Sequence, residues 1–286
     1  GIDVPCHIGI KEKTCFAASY FTNERCEQQY NDIPVLIGVR GGSDTYGVTW
    51  DDVSEAEKWA ARVRGLEDYS KYGACSWDVD SLVPVWTLGE KDVLSAHWID
   101  KAKMRTDALG LQILGGRSRW VPHGYEEFVR TATESPTASV VTHVLIEIIG
   151  LQQEWINLKF DVKSAFFKAW KFKEKAAATG CDPKEMYVKA PPEAVQKSGL
   201  PYVKGGYATQ LMGEVPGTKC APREWFDTLI YAICTEFADE KFFCEQSSDD
   251  QCAVWIRESG TGVLKGAIGL HVDDGRGRAS DSATRW

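Results

Sequence analysis

The sequence holds no Cys-x-x-Cys pair, although it carries nine cysteines, at positions 6, 15, 26, 75, 181, 220, 234, 244 and 252. That absence excludes a zinc ribbon and a dithiol redox motif. Scattered thiols in odd number fit a reducing interior better than a secreted disulfide framework. No apolar run reaches the ~18 residues of a membrane span, and no signal peptide is visible, so the expected location is intracellular, in cytoplasm or nucleus, with no membrane partner. Positive charge is short as well: 33 Lys and Arg stand against 41 Asp and Glu, a net charge of −8. This is the wrong sign for a protein that coats nucleic acid indiscriminately, and any nucleic-acid site must be a local basic patch. The Gly-rich stretch IPVLIGVRGGSDTYG (33–47) lacks the G-x-G-x-x-G spacing of a dinucleotide site and reads as a strand followed by a plain loop. Neither an internal repeat nor a low-complexity tract is present.

What is there can build a core. The chain has 286 residues, 43% of them hydrophobic, with eleven Trp, enough for one or two domains. VSEAEKWAARVRGLEDY (53–69) is a predicted helix with Ala56, Trp59, Ala60, Val63 and Leu66 near one face. A second helix is expected to begin within ESPTASVVTHVLIEIIGLQQEW (134–155), capped by Ser135 with Pro136 at its first position. Its apolar face would be Val140, Val141, Val144, Leu145, Ile148 and Ile149, leaving His143 and Glu147 as a surface pair. EMYVKAPPEA (185–194) reads as an edge strand stopped by Pro191 and Pro192. VPGTKCAPREWFDTLIYAICTEF (215–237) is a turn and a helix, with Trp225, Leu229, Ala232, Ile233 and Phe237 on its apolar face. DQCAVWIRESGTGVLKGAIGLHVDD (250–274) is a hairpin turning at Ser-Gly-Thr-Gly.

Two stretches carry chemistry. INLKFDVKSAFFKAWKFKEK (156–175) opens as a strand, with Ile156, Leu158 and Phe160 to one side and Asp161 at its end. Six lysines (159, 163, 168, 171, 173 and 175) then interleave with Phe166, Phe167, Trp170 and Phe172. That pattern is either a solvated face or a local phosphate-binding patch. GLHVDDGRGR (269–278) places Asp273 and Asp274 after a short apolar run and before a glycine. Asp-Gly is a strong tight-turn signal, and a turn tip can also hold two carboxylates toward a cation. If the strands ending at Asp161 and at the Asp-Asp tip are neighbours, three hard oxygen ligands converge, a set suited to Mg²⁺ and able to hold two ions about 3.5–4 Å apart.

In these stretches the chain resembles the reverse transcriptase of copia-type retrotransposons. FDVKSAFF (160–167), HVDDG (271–275), GTKCAPREWF (217–226), EMYVKAPPE (185–193), SRWVPHGYEE (118–127), ESPTAS (134–139) and HWIDKAKM (97–104) resemble successive blocks of that family, in order. The likeness runs from about residue 53 to 276. It implies an α+β polymerase, with fingers and a palm built on a mostly antiparallel sheet backed by helices. Residues 1–52 are unassigned, 53–135 would be the leading helix and fingers, and 136–286 a palm truncated after the Asp-Asp hairpin, without thumb or ribonuclease H. The implied activity is RNA-directed DNA polymerisation by two-metal nucleotidyl transfer. The implied cofactor is Mg²⁺ or Mn²⁺, two ions. The implied partners are an RNA template, a DNA primer, dNTPs and the other domains of a Pol polyprotein.

Carried over by position, Asp161, Asp273 and Asp274 match the catalytic, metal-binding aspartates, and the backbone of Val162 a metal contact. Arg119 matches the arginine that grips the triphosphate. Phe166 matches the aromatic gate that excludes a 2′-hydroxyl, and Gly217 a small residue near nucleotide and template. Arg117, Lys101 and Lys103 match further basic positions of the fingers. Pro216, Cys220 and the pair Pro122–His123 depart from the family pattern. GRGRASDSATRW (275–286) departs most, and is expected not to pack as a buried strand, so that the aspartate tip would be poorly fixed. From the Gly start and the C-terminal stretch a fragment or decayed reading frame is expected, extending a primer poorly by itself. The rival from another class is an inactive remnant with at most weak nucleic-acid binding. A third reading, a carboxylate-metal nuclease or phosphatase, has only His271 as a base near the aspartates.

Overall fold

The computed structural model describes residues 48–284, apart from 90–92, 107–111, 128–132 and 237. The readings of residues 1–47 and of Phe237 therefore lie outside the described residues. In chain order the main elements are α1 (Glu55–Lys71), β1 (Val83–Pro84), β2 (Val93–Leu94), β3 (Ala96–Thr106), β4 (Gln112–Pro122), α2 (Val140–Gln152), β5 (Ile156–Asp161), α3 (Phe172–Thr179), β6 (Met186–Lys189), α4 (Pro192–Lys197), β7 (Tyr207–Leu211), α5 (Ala221–Tyr231), β8 (Phe242–Gln246), β9 (Ala253–Glu258), β10 (Leu264–His271), β11 (Asp274–Ala279) and α6 (Asp281–Thr284). The fold is α+β: every strand pair among the described residues is antiparallel except β2–β6. No helix among these residues is long and apolar enough to cross a membrane.

The chain divides into two units, each made of two segments. One holds the described residues of 129–184 and 219–286; the other holds those up to 127 together with 185–218. Residues 185–218, expected with the palm, thus group with the first segment.

The first unit is built on a five-stranded sheet in the order β5-β11-β10-β9-β8. Strand alternation divides its side chains between two faces. One face carries Phe160, Ile268 and Leu270 and packs on the apolar side of α5, where Trp225, Phe226 and Leu229 are buried, along with Ile233 in the π-helical turn that follows. This is the face expected for the helix. Pro222 stands in its first turn, where the missing N–H costs nothing. Phe167 and Phe172, read as part of a basic-aromatic patch, are also buried, so core packing accounts for these two aromatics.

Helix α2 covers the other face, turned opposite to expectation. Val140, Val141, Val144, Leu145, Ile148 and Leu151 are exposed, whereas Thr142, Ile146 and Gly150 are buried. The expected surface pair faces the sheet. Glu147 binds Arg278 of β11 at 2.7 Å, and the His143 ring lies over Gly269 of β10, where a Cβ would come within 2.6 Å of it. Asp250 fixes the same orientation by accepting hydrogen bonds from the Ser139 amide (3.0 Å) and the Thr142 hydroxyl. A face that offers an arginine and an aspartate selects the polar side of a mostly apolar helix, since those charges need partners. The helix also begins later than expected. Ser139, not Ser135, is its N-cap, accepting the Thr142 amide at 3.0 Å, while Thr137 bridges to His271.

The second unit holds the ribbon β3–β4 and the sheet β1-β7-β6-β2. Strand β6 is interior rather than an edge, with β7 on one side and β2 on the other, as its buried Met-Tyr-Val run allows. Pro192 opens α4 instead of only ending a strand. In α1 the buried residues are Ala61, Gly65, Leu66 and Tyr69, and Trp59 is exposed, so the inward face is rotated from the expected one. The reason is close approach to the ribbon. A Cβ on Gly65 would stand 2.5 Å from the Ser118 carbonyl, and the Tyr69 hydroxyl donates to the Trp120 carbonyl. Arg62 anchors the unit through Asp100 and Glu193, at 2.8 Å each, and stacks on Trp98.

Candidate active site

Strand β5 ends at Asp161, and β11 begins at Asp274. The two residues are register partners, so both side chains leave the same face of the sheet, with Cβ atoms about 4.5–5.5 Å apart for such a pair. Asp273 occupies the tip that precedes β11, and its carbonyl accepts the Val162 amide at 2.7 Å. The backbones of the three aspartates picked out in the sequence, and of Val162, therefore lie together at one end of one sheet. Asp161 and Asp273 are exposed and Asp274 is partly covered. His271, opposite Asp274 in register, places its Nδ1 3.5 Å from that carboxylate.

The turn differs from the one expected. It falls at Val272–Asp273, between the register partners His271 and Asp274, and Gly275 lies within a strand. Val272 takes φ +51°, a left-handed conformation unusual for a β-branched residue. The Trp225 indole donates to its carbonyl at 2.7 Å. The tip is thus held from two sides, by the Val162 amide and by the Trp225 indole.

The second correction concerns the segment after the tip. Residues 274–279 form a strand hydrogen-bonded on both sides, to β10 and to β5. Gly275, Gly277 and Ala279 are its buried positions. They are small because the neighbours leave no room: a Cβ on Gly275 would strike the Phe160 ring, and one on Gly277 would strike the Ala267 carbonyl. Glycine weakens an isolated strand, but it also permits close approach, and here the space is filled from both neighbouring strands. The alternate positions carry Arg276, which is exposed, and Arg278, which lies beneath α2 and also donates to the Trp155 carbonyl at 3.1 Å. The expectation of a loosely held tip does not survive.

Beyond Asp161 the chain turns sharply. Ser164 has φ +56°, and a short 3₁₀ turn covers Ala165–Lys168. Phe166 on this turn is half-buried against the core. Of the nearby lysines, Lys171 donates to the Phe167 carbonyl and Lys175 pairs with Glu224, so these two serve local structure.

Lys101, Lys103, Arg117, Arg119 and Gly217 belong to the second unit. Lys101 pairs in register with Arg117, and Arg119 with Ile99, so the four cations share one face of the β3–β4 ribbon; all four are exposed. Lys103, Arg117 and Arg119 border a hollow of about 310 Å³ together with Arg64 and Asp68. Burial raises the Asp68 carboxyl above its ordinary range, against the opposing pull of Lys71, Arg117 and Arg119. Gly217 has φ +107° and lies against the end of β4, where a Cβ would strike Val121 and stand 2.6 Å from the Pro122 carbonyl. Its own carbonyl accepts the Gly124 amide at 3.0 Å. Only glycine meets both conditions.

No family model, no curated protein and no solved structure matches this chain.

Proposed function

We propose that the chain carries the palm and fingers of an RNA-directed DNA polymerase of the copia-retrotransposon type, performing two-metal nucleotidyl transfer. The observation that carries this reading is the register pairing of Asp161 with Asp274, with Asp273 tied to Val162 beside them. Those residues lie 112 to 113 positions apart in the sequence, and both the strand-end pattern and the resemblance had singled them out.

The donor set fits a hard divalent ion. Asp161 and Asp273 offer exposed carboxylates, and the bond from the Val162 amide to the Asp273 carbonyl keeps their backbones close. Magnesium is bound through one or two carboxylates plus substrate phosphates, keeping several waters. When bound, two such ions would activate a primer 3′-oxygen and stabilise a leaving pyrophosphate. Asp161 and Asp273 would be the main ligands and Asp274 the supporting one. Trp225 and the Val162 amide hold the tip still, which matters because misplacement by an ångström can cost roughly 100-fold in rate. Phe166, partly exposed beside the Asp161 turn, would press against a sugar and disfavour a 2′-hydroxyl. In the other unit the ribbon cations form a basic face of their own, with the planar Arg119 and Arg117 forks suited to phosphate oxygens.

Metal binding is the primary test, since the chain by itself is expected to extend a primer weakly. Titration with Mn²⁺, followed by electron paramagnetic resonance, should reveal binding that Asp161→Asn weakens and Asp161→Asn/Asp273→Asn removes. Primer extension on an RNA template should vanish in the same variants, and Phe166→Ala should raise rNTP use relative to dNTP. Unchanged Mn²⁺ affinity in the folded double variant would overturn the proposal.

A further inference from the structure

A second cluster of titratable side chains lies in the other unit, where β3 begins and β4 ends. Glu126 accepts two hydrogen bonds from Ser95, one from its amide at 2.7 Å and one from its hydroxyl at 2.5 Å. The Ser95 oxygen lies 2.7 Å from His123 Nδ1, and His123 Nε2 lies 2.7 Å from His97 Nδ1. The Tyr125 ring stacks on His123 at 5.1 Å.

The protons in this chain of contacts follow from its acidic end. Glu126 is a carboxylate, acceptor-only when ionised, and both the Ser95 amide and the Ser95 hydroxyl point at it. It has no proton to give, so the Ser95 hydroxyl donates to it. The Ser95 oxygen can then only accept from His123, which fixes the proton of neutral His123 on Nδ1. His123 Nε2 keeps its lone pair and accepts the hydrogen bond from His97 Nδ1 at 2.7 Å. A hydrogen-bonded partner that fixes the tautomer of an imidazole and leaves the lone pair on its far nitrogen is the outer support characteristic of metal-ligating histidines.

We propose that His97 and His123 form a bis-imidazole site for a borderline divalent transition-metal ion such as Zn²⁺, gripped through His97 Nδ1 and His123 Nε2. The two nitrogens are 2.7 Å apart. With bonds of about 2.0–2.1 Å they subtend about 80° at a shared ion, near a cis pair in octahedral or square coordination. Spreading them to about 3.3 Å gives a tetrahedral angle with the same bond lengths. The ring centroids are 4.7 Å apart and the planes are tilted by 30°, so the two nitrogens face each other along the hydrogen bond and a swing of the rings aims both at one ion. His97 is exposed and can make this adjustment. Loading leaves the proton count unchanged: neutral His97 moves its one proton from Nδ1 to the solvent-facing Nε2, and water completes the coordination. Such an ion would clasp the loop after β4 to the start of β3, at one end of the ribbon bearing Lys101, Arg117 and Arg119. Two nitrogen donors favour Zn²⁺, Ni²⁺ or Cu²⁺ over Mg²⁺, so this site and the carboxylate site take different ions.

The test is calorimetric titration of the whole chain with Zn²⁺ in excess Mg²⁺, together with the absorption spectrum after Co²⁺ is added. Expected are a Zn²⁺ site that His97→Ala/His123→Gln abolishes, a Ser95→Ala variant weakened about 10- to 100-fold, and a Co²⁺ spectrum without thiolate charge transfer. Asp161→Asn should keep its Zn²⁺ affinity, which separates this site from the carboxylate one. Equal affinity in the wild type and the folded double-histidine variant would overturn the proposal, as would a thiolate signature or the loss of Zn²⁺ binding in Asp161→Asn.

Discussion

Gly277→Ala tests the account of β11 directly. The added methyl would fall on the Ala267 carbonyl oxygen and within 2.8 Å of the Ile268 Cα. Both are backbone atoms of β10, so no rotamer change relieves the clash and the strands must part. Two terms compete. Replacing glycine reduces the freedom of the unfolded chain and stabilises by about 0.4–1 kcal/mol where the backbone allows. Overpacking in a closely fitted interior costs about 1–3 kcal/mol. The net expectation is destabilisation of about 1–2 kcal/mol, or a fall in Tm of about 2–8 °C for a chain of this size. Urea unfolding followed by tryptophan fluorescence gives the stability. Hydrogen exchange gives the location, with faster exchange of the β10–β11 amides. Gly260→Ala is the comparison: nothing lies within 4 Å, but φ is +85°, so strain alone acts, at the far end of β10 from the aspartates. It should leave Mn²⁺ affinity unchanged, whereas Gly277→Ala should weaken it by displacing Asp274. A Gly277→Ala protein of unchanged or greater stability, with intact exchange protection, would refute the close packing inferred for β11.

Other perturbations follow from the same packing. Arg62→Met leaves the Asp100 and Glu193 carboxylates, 14% and 6% exposed as side chains, without their shared cation; the expected loss is about 3–5 kcal/mol, read from denaturant midpoints. Asp250 gives an acid-side dependence. Burial alone would raise its carboxyl, but hydrogen bonds from Thr142, Ser139 and Cys252 outweigh burial and hold it below its ordinary value. Its contribution is therefore complete above the unfolded value of about 3.9 and is lost as pH falls through the lower folded value, so Asp250→Asn should flatten the decline in stability on that side. Burial pushes the Cys244 and Cys252 thiols up to about 12 and about 11, while Cys181 is exposed; peptide mapping after brief alkylation near neutral pH should find Cys181 labelled and the other two labelled only on unfolding. Val272→Gly removes the positive-φ strain and should stabilise the hairpin by up to about 1–2 kcal/mol, measured by the same urea unfolding.

The legible parts of the sequence were those where one interaction dominates. Helix α5 shows its buried face because Trp225, Leu229 and Ile233 pack on an apolar sheet. The alternation of Ile156, Leu158 and Phe160 marked β5, and the Ser-Gly-Thr-Gly turn falls between β9 and β10 as expected. All three aspartates were visible, two of them through their adjacency. Errors arose where a distant partner decides. Helix α2 is apolar around most of its circumference, and Arg278 and Asp250, more than 100 residues away, determine which side turns inward. Strand β11 has almost no hydrophobic signal, because its buried side is defined by what Phe160 and Ala267 exclude. The His97–His123 contact joins the start of one strand to the residue beyond the next, and neither residue shows a pattern alone.

Because the strands that bring Asp161 and Asp274 together are remote in sequence, the candidate catalytic edge is also a kinetic feature. Among the described residues, β5 has one hydrogen-bonded strand neighbour, β11. A ribosome must add more than a hundred residues after β5 before that neighbour exists, and closing so long a loop is slow relative to pairing the adjacent β8, β9 and β10. Until then β5 has no strand beside it, with Phe160 uncovered on one side and unpaired amides along both edges, a condition that invites pairing with other chains. The order of assembly would be a β8–β10 meander first, then the β10–β11 hairpin, and the capture of β5 last. Mistakes in synthesis or refolding should therefore accumulate at this edge, and the competence of the site should lag behind the appearance of secondary structure.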